Sequence, residues 1–528
     1  MFYGKKKRWR FSILFIIFSF LHFTVSAQRA PRGFYISTMG SDGNPGTKQK
    51  PWKTLLNTRQ MQLMPGDSLL FHGGQIFTGS LLPGDSLKGT SSSPILISSY
   101  GTGRATLTAG NGPGIVLRFS EFVQVKFLKL TGSGRKKGNT EKGIMALSGT
   151  HLFFDALEIS GFQKSGLEIV NGTDIRIDHT DTHDNGYAGI SVSGLHFPAI
   201  ENNRIYIGHS TARNNPGDPT ELNNHSGNGI VVGLARNVLI EYCTATGNGW
   251  DMPRKGNGPV GIWAWQADSV VIQYCLSYRN KTSPGSMDGG GFDLDGGVTH
   301  SLVQYNLAYE NQGYGYGIFQ FSGATPWHHN TFRYNISYND GNTTLHGASV
   351  LWWNGSKDSS QFHDAYIYQN LFYNSHGYAL GVIPGQYDNS RFYFLNNIIT
   401  GKNEIMGGDS LRTEHFFGNR WWSIVSGFKV NGMKSYSSWI EKTGMERLSG
   451  KITGKNAPPG IILPTGTLPL KATDWKGLRA FRIRSPRDTS SIGINMELIF
   501  GIDKGQFDFF GNKLGRGNLI PGPDEGKR

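Results

Sequence analysis

Cysteine, charge and long apolar runs are all scarce in this chain of 528 residues. It has two cysteines, 17% of its residues are charged, and no stretch after residue 28 approaches the ~18 apolar residues of a membrane span. Two sulfurs cannot supply a disulfide framework or a structural zinc site. Glycine is abundant instead, with 73 copies, and together with 12% aromatic residues it predicts many turns around a long, thin core.

The first 28 residues have the features of a secretory signal peptide. Basic residues within 5–10 precede an apolar run over residues 11–23, and Val25, Ser26 and Ala27 form a small-residue cleavage site. Removing the five positive charges of this segment from the formal charge of +14 leaves +9. We therefore expect a monomeric protein, periplasmic or extracellular, without a membrane span or a nucleic-acid partner. Its basic surface suits a polysaccharide ligand, including an anionic one, or serves solubility alone.

A glycine-led phrase of five residues recurs through the middle of the chain. Its copies begin at Gly143, Gly166, Gly189, Gly229, Gly261, Gly291, Gly317, Gly347 and Gly377. A second apolar phrase begins at Ile240, Ile272, Val303, Phe332, Ile367 and Phe394. Both phrases are short, alternate apolar with other residues and are bounded by Gly, Asn and Asp, which predicts strands.

The spacing of the leading glycines is that of a solenoid whose coils carry loops of unequal length. Two or three short strands per coil predict an all-β fold, the right-handed parallel β-helix. A β-propeller needs repeats of roughly 40 to 50 residues, and coils of 23 and 26 residues are too short for it. We divide the chain into a signal peptide (1–28), an N-terminal cap with the first coils (29–100), the β-helix (101–400) and a C-terminal cap or appendage (401–528).

One position of the coil holds cysteine twice and then asparagine. The residues there are Cys243, Cys275, Asn306, Asn335, Asn370 and Asn397. No histidine shares the cysteine spacing, so we expect stacked, buried side chains rather than a disulfide or a metal pair. The asparagines should form a column that satisfies buried turn amides from coil to coil.

The regions on either side of the coils predict the caps that a solenoid needs to cover its core. Residues 34–71 predict a strand, a turn, a short helix, a turn and a strand. Residues 436–447 predict one amphipathic helix, after which Pro and Gly dominate.

After the signal peptide the chain opens on YISTMGSDGNPGTKQKPWKTL and PGDSLLFHGG, and DFFGN stands near its end, at residues 508–512. These segments resemble the terminal signatures of secreted right-handed β-helix proteins of the pectate-lyase-like superfamily. The resemblance implies a carbohydrate-active protein of a polysaccharide-degrading bacterium. The segment DGGGFDLDGG, residues 288–297, is similar in layout to the active-site coil of the family 9 pectate lyases. Those enzymes carry a lysine base in this strand, whereas this chain has Asp295 there.

Strand alternation separates core residues from outward ones. We expect Ile262, Phe292 and Ile318 to be buried one above another. One outward column is predicted to hold Glu168, Ser191, Val231, Trp263, Asp293, Phe319 and Ser349, and the other Val170, Ser193, Gly233, Trp265, Asp295, Phe321 and Leu351.

Asp293 and Asp295 thus become the candidate catalytic residues. Their α-carbons should lie about 6.6 Å apart, a spacing that suits either geometry of glycoside hydrolysis, and their mutual repulsion should raise one pKa. Exposed aromatic rings beside them can stack on sugars, and the loops 247–256 and 194–228 should flank them. The candidate substrate-binding residues are Trp263, Trp265, Phe319, Phe321, Asp251, Arg254, Lys255, His225 and Asp288.

Three hypotheses of function follow. The first is a glycoside hydrolase that uses Asp293 and Asp295, with Asp288 or Asp251 as a third carboxylate and no required cofactor. The second is a polysaccharide lyase, in which aspartates 288, 293 and 295 hold Ca²⁺ and Lys255 or Arg254 abstracts a proton. The third is a glycan-binding protein without catalysis. Paired carboxylates favour the first, and the lack of lysine in the outward columns disfavours the second.

Overall fold

A computed structural model describes Met1 and residues 29–341, 347–356, 358–385, 389–408, 413–475, 477–484, 493–515 and 517–525. Residues 2–28 of the expected signal peptide lie outside the described residues. Strands dominate the described regular structure, and their pairing is almost entirely parallel. No helix among the described residues has the length and apolar character needed to cross a membrane.

The strands and helices are short and follow one another closely along the chain. Those of the N-terminal half are β1 (Gly33–Ile36), β2 (Ser68–His72), β3 (Ile76–Thr78), β4 (Ile95–Tyr100), β5 (Ala105–Gly110), β6 (Ile115–Arg118), β7 (Val123–Lys126), β8 (Leu128–Gly132), β9 (Ile144–Leu147), β10 (Thr150–Asp155), β11 (Glu158–Ser160), β12 (Leu167–Val170), β13 (Thr173–Asp178), β14 (Asp181–His183), β15 (Ala188–Ser193), β16 (Asn202–Gly208), β17 (Thr211–Arg213), β18 (Asn228–Glu241), β19 (Thr244–Thr246), β20 (Val260–Gln273) and β21 (Leu276–Tyr278). The remaining ones are β22 (Gly290–Leu294), β23 (Leu302–Gln304), β24 (Leu307–Tyr309), β25 (Tyr316–Gln320), β26 (Asn330–Arg333), β27 (Ile336–Tyr338), β28 (Ala348–Asn354), β29 (His363–Tyr368), β30 (Leu371–Tyr373), β31 (Tyr378–Val382), β32 (Ser390–Leu395), β33 (Ile398–Gly401), β34 (Met406–Gly408), β35 (Glu414–Phe417), β36 (Arg420–Ser423), α1 (Tyr436–Thr443), β37 (Arg447–Leu448), β38 (Lys451–Ile452), β39 (Lys455–Asn456) and α2 (Met496–Phe500), with 3-10 turns at Leu56–Arg59 and Ser359–Gln361.

Each coil contributes to three parallel faces, and the protein is a right-handed parallel β-helix, as predicted. The first face includes β12, β15, β18, β20, β22, β25 and β28. The second face includes β13, β16, β23, β26 and β29, and the long strands β18 and β20 bend to join it as well. A separate sheet from β3 to β39 is the third face. The boundaries proposed at residues 100 and 400 stay a prediction, and parallel pairing continues on both sides of them.

The expected inward residues are buried, but one step of their stacking differs from the prediction. Ile262 pairs with Phe292, and both are fully buried. Phe292 then pairs with Tyr316, and Ile318 pairs with Leu294, so the strand β25 is displaced by two residues from the expected register. The reason is visible in the core, where the ring of Tyr316 stacks on that of Phe292 with centroids 5.3 Å apart. The displacement moves every outward residue of β25 along the site.

The asparagine column is confirmed. Asn306 donates a side-chain hydrogen bond to Asn335 Oδ1 (3.1 Å), and the same pattern continues through Asn370 and Asn397 to Asn419. Cys243 and Cys275 are free and buried, as expected. A second buried ladder was not predicted, and it runs through Asn215, Asn248, Asn280, Asn311 and Asp340.

The ends of the chain cover the solenoid. The N-terminal region has the expected strand, 3-10 turn and strand, and α1 matches the expected helix but ends at Gly444 in a left-handed conformation (φ 71°). The C-terminal region returns along the second and third faces: Tyr309 Oη donates to the Pro469 carbonyl and Tyr334 Oη to the Lys504 carbonyl, each at 2.9 Å.

Candidate active site

The first face carries the acidic segment on its outer side, beside aromatic residues of neighbouring coils. Trp263 in β20 pairs with Asp293 in β22, and Asp293 pairs with Gly317 in β25. A Cβ atom at Gly317 would lie 2.9 Å from Asp293 Cγ and 2.7 Å from the ring of Tyr314. Glycine at this position therefore leaves room for the Asp293 carboxyl and the phenol beside it.

Asp293 is the most deeply buried of the three aspartates. It is 2% exposed, and Tyr314 Oη donates a hydrogen bond to its Oδ2 at 3.1 Å. Its Oδ1 is buried and finds no hydrogen-bond partner within the described part of the chain. Burial, followed by the negative charges of Asp295 and Asp288, raises the pKa of Asp293 well above its ordinary value of 3.8. Burial therefore favours the neutral form of this carboxyl.

Asp295 and Asp288 act electrostatically on Asp293 and, unlike it, keep part of their surface in solvent; we call this group of three carboxyls the acidic recess. Asp295 Oδ1 accepts a hydrogen bond from the backbone N–H of Gly296 (2.7 Å), yet burial raises the pKa of Asp295 to about 6. Asp288 Oδ2 accepts from the backbone N–H of Gly258 (2.6 Å), while burial and the charge of Asp295 raise the pKa of Asp288 to about 7. Both carboxyls can therefore exchange a proton near neutral pH.

The aromatic side chains beside the aspartates are more buried than the sequence predicted. Trp263 is 4% exposed and donates from Nε1 to Asn228 Oδ1 (3.1 Å), and Phe319 is 7% exposed with its ring edge against Tyr314 (centroids 5.1 Å apart). The expectation that Trp263 and Phe319 are exposed to solvent is wrong, because both rings are buried in one apolar cluster. Trp265 is only partly buried and stacks on Phe197 of the 194–228 loop at 6.3 Å.

The altered register also moves the phenylalanines. Phe319 follows Ile318, the partner of Leu294, and so aligns with Asp295 rather than with Asp293 as expected. Phe321 lies one residue past β25 and is partly buried. Its ring packs against Gly296, where an added Cβ atom would lie only 2.5 Å from the ring. Both rings still border the acidic recess, displaced by two residues along it.

His225 lies behind Trp263 rather than at the recess surface. Its ring is 4.8 Å from that of Trp263, and its Nδ1 is 2.9 Å from Asn228 Nδ2. Burial, with a smaller effect from the charge of Arg254, lowers the pKa of His225 to about 3, so the imidazole is neutral. It positions Asn228 and the tryptophan.

The three charged residues predicted in the loop before β20 have different partners, and not all of them act on the aspartates. Asp251 forms ion pairs with Arg135 and with Lys136 (2.6 Å), which lower its pKa and hold it against an earlier coil. Lys255 Nζ donates to the Pro284 carbonyl. Arg254 alone of the three acts electrostatically on the site, because its charge opposes the raised pKa of Asp288.

Calcium ligation by the three aspartates fits this arrangement poorly. Within the described residues, two groups have ligand atoms all within 4.8 Å of one another, and both contain histidine; aspartates 288, 293 and 295 do not form such a group. Ca²⁺ takes six to eight oxygen ligands at roughly 2.3–2.6 Å. Asp293 Oδ2 moreover already accepts a hydrogen bond from Tyr314, and burial of its carboxyl disfavours the charged form that a metal ion prefers.

Two contributors to the site were missed from the sequence. Tyr314 donates to Asp293 and comes from the glycine-tyrosine series 313–317, which was assigned only to the coil pattern. Asn228 accepts from Trp263 and contacts His225. The signal for Asn228 was its place directly before the glycine of a phrase, where a buried polar residue needs a partner.

The coils and the recess on their first face define a right-handed parallel β-helix protein of the pectate-lyase-like superfamily. Residues 34–348 match the family described as Pel9A-like, right handed beta helix region, and the chain belongs to that family.

Individual relatives are distant. Lacto-N-biosidase of Bifidobacterium longum subsp. longum is 24% identical over 481 residues, an alignment that covers 69% of this chain and 28% of the relative, so the chain spans under a third of that protein. The crystal structure of GH136 lacto-N-biosidase from Eubacterium ramulus is 19% identical with a TM-score of 0.50, covering 69% of this chain and 68% of the other. Pectate lyase Pel9A is 14% identical with a TM-score of 0.39, covering 69% and 79%. The likeness to the Eubacterium ramulus structure shows the fold alone.

Proposed function

We propose that this protein is an exported, carbohydrate-active enzyme, a glycoside hydrolase that cleaves a polysaccharide or oligosaccharide. The observation that carries the proposal is the set of three neighbouring aspartates with three different environments. Glycosidases need one carboxyl that gives up a proton and one that is ionised. The match to proteins named lacto-N-biosidase supports a glycosidase.

We assign the two working carboxyls to Asp288 and Asp295. Asp288, with a pKa of about 7, holds its proton near neutrality and acts as the general acid on the leaving oxygen. Asp295, with a pKa of about 6, is largely ionised there and acts as nucleophile or general base. Both side chains keep some contact with solvent, as a group that meets a substrate requires.

Asp293, which the sequence predicted to be catalytic together with Asp295, fits a role in positioning Asp295 better than a role in catalysis. Its carboxyl is 2% exposed and hydrogen-bonded to Tyr314, so a sugar cannot reach it without moving Trp263. A neutral acid next to Asp295 can donate or accept a hydrogen bond without adding a second negative charge. Asp293 is therefore a positioning residue in this proposal.

The recess also has surfaces for a sugar ring. Trp265 and Phe321 are partly exposed aromatic side chains on either side of Asp295, and pyranose rings present apolar C–H faces to such rings. The charge of Arg254, in the loop before β20, acts on Asp288. Sugar stacking on Trp265 and Phe321 with polar contacts from Arg254 fits a site that is mostly apolar with a few convergent polar groups.

Products distinguish the proposal from its alternatives. Wild-type protein and the Asp295→Asn variant are incubated with neutral and uronic glycans, and reducing ends and the absorbance of unsaturated sugars are both recorded. The proposal predicts new reducing ends without unsaturated product, lost in Asp295→Asn. Unsaturated product that requires Ca²⁺ would identify a lyase. Binding without any product would identify a glycan-binding protein.

A further inference from the structure

A cluster of histidines lies apart from the acidic recess, at the bend between the first and second faces. His300, His328 and His329 each offer one ring nitrogen, and these nitrogens all lie within 4.8 Å of one another. His328 Nδ1 is 2.8 Å from His329 Nδ1. At this distance the two imidazole nitrogens share a hydrogen bond, and a metal ion bound by both would replace the shared proton.

The fold itself brings these residues together. One residue of the bend adopts the left-handed conformation in each coil, at Ser269 (φ 56°), His300 (φ 49°), His329 (φ 56°) and Asp364 (φ 56°). His300 and His329 thus occupy the same place in successive coils, with ring centroids 5.4 Å apart. His328 precedes His329 and lies next to Thr299 in the neighbouring coil. The arrangement is built by the repeat rather than by flexible surface side chains.

A carboxylate holds the ring of His300 from behind, and a second carboxylate, which is hydrogen-bonded to Arg391, lies near the ring of His329. Asp268 Oδ1 lies 2.9 Å from His300 Nδ1, and Asp268 is fixed in turn by Thr299 Oγ1 (2.7 Å) and Ser269 Oγ (2.9 Å). This contact engages His300 Nδ1, so Nε2 is the nitrogen that would bind the ion. Asp364 Oδ2 lies 3.7 Å from His329 Nε2, on the side away from His329 Nδ1. Histidine ligands of metals have this carboxylate on their second nitrogen.

We propose that His300, His328 and His329 bind a divalent transition-metal ion of the zinc class, with water completing the coordination. Imidazole suits Zn²⁺, Cu²⁺ and Ni²⁺. Nitrogens bound at about 2.0–2.1 Å to a tetrahedral ion lie roughly 3.3 Å apart, so the 2.8 Å pair of His328 and His329 needs only a small side-chain rotation. The His300 side chain is 57% and the His329 side chain 51% exposed, which leaves the ion and its water open to solvent.

The ion would join two successive coils, so its expected role is to stabilise the bend between the first and second faces. The second histidine-containing group differs in a decisive way. Asp178, His179 and His209 also have ligand atoms within 4.8 Å, but Arg176 forms an ion pair with Asp178 and already neutralises its charge. That group is the matched control.

The test is Zn²⁺ titration of the protein by calorimetry, with Co²⁺ absorption as a spectroscopic probe of histidine ligation. His300→Ala and His329→Ala should each lose this binding, and Asp268→Ala should weaken it roughly 10- to 100-fold, the effect of removing a carboxylate behind a ligand. His209→Ala should bind as the wild type does.

Thermal unfolding supplies an independent reading. Zn²⁺ should raise the Tm of the wild-type protein, because a ligand that binds only the folded state stabilises it. It should raise the Tm of His209→Ala equally and leave that of His300→Ala unchanged. Zn²⁺ binding by His300→Ala that matches the wild type, or no binding by the wild type at millimolar Zn²⁺, would overturn the proposal, and circular dichroism confirms that each variant is folded.

Discussion

Replacing Asp288 with asparagine should remove activity and at the same time make the protein more stable at alkaline pH. The folded protein holds the Asp288 proton with a pKa of about 7, against an ordinary value of 3.8. A raised folded pKa means that the full stability is present below about pH 4 and is lost as the pH rises through about 7. The wild type therefore loses stability when Asp288 ionises, and the neutral amide of Asp288→Asn avoids that loss.

The size of the effect follows from the two pKa values. Each pH unit between them corresponds to about 1.4 kcal/mol, which sets an upper limit of ~4 kcal/mol. Because Asp288 keeps partial contact with solvent, we reduce the expected gain at about pH 8 to ~2 kcal/mol. At about pH 3.5 the carboxyl is mostly protonated in both the folded and the unfolded state, and the two proteins should differ by less than ~0.5 kcal/mol. The hydrogen bond from Gly258 to Asp288 Oδ2 can be kept by the amide oxygen.

Urea unfolding of both proteins at the two pH values provides the measurement. Asp85→Asn is the control, because Asp85 is a largely exposed carboxylate in a surface ion pair with Arg118 at 3.4 Å. Its substitution should change the free energy of unfolding by under ~1 kcal/mol at either pH. A loss of stability in Asp288→Asn of the same size at both pH values would refute the reasoning, since it would show that the charged carboxylate stabilises the fold.

Three further predictions concern activity, binding and the fold. The profile of kcat/KM against pH should be bell-shaped, falling below about 6 as Asp295 gains a proton and above about 7 as Asp288 loses one; a flat profile between about pH 5 and 8 would contradict these roles. Trp265→Ala should weaken glycan binding with little change in Tm, because the Trp265 side chain is partly exposed. Trp263→Ala should lower the Tm, because the Trp263 ring is buried; equal losses of Tm in the two variants would show that both rings are structural. Asn335→Ala should lower the free energy of unfolding by ~1–3 kcal/mol by leaving ladder amides unpaired, as chemical denaturation would measure; an unchanged value would show that the ladder adds no stability.

The repeated phrases made the fold predictable, but they could not fix which residues of β22 and β25 lie opposite each other. Glycine-led phrases with alternating apolar residues can form only one type of solenoid strand, so Ile262 and Phe292 were placed correctly in the core. In residues 313–317 glycine stands at every second position, and a shift of two residues preserves the alternation. Only the packing of Tyr316 on Phe292 selects between the two registers, and such packing is a three-dimensional property.

Exposure at the site could not be predicted for a similar reason. Alternation correctly placed Trp263 and Asp293 on the outer side of the first face, next to each other. Their burial depends on the side chains that cover that side, above all Asn228 and Tyr314, which belong to other coils. The sequence thus indicated the acidic segment but not which of its carboxyls a substrate can reach.

The turnover numbers of three isosteric variants test the central claim most directly. Asp288→Asn and Asp295→Asn should each lower kcat by ~10² or more, the low end of what a positioned acid or base contributes. Asp293→Asn should keep kcat within ~10-fold of the wild type, because the carboxyl it replaces is buried against Tyr314 and its raised pKa favours the neutral form. A loss in Asp293→Asn as large as that in Asp295→Asn, together with an active Asp288→Asn, would contradict the account and make Asp293 the second catalytic carboxyl.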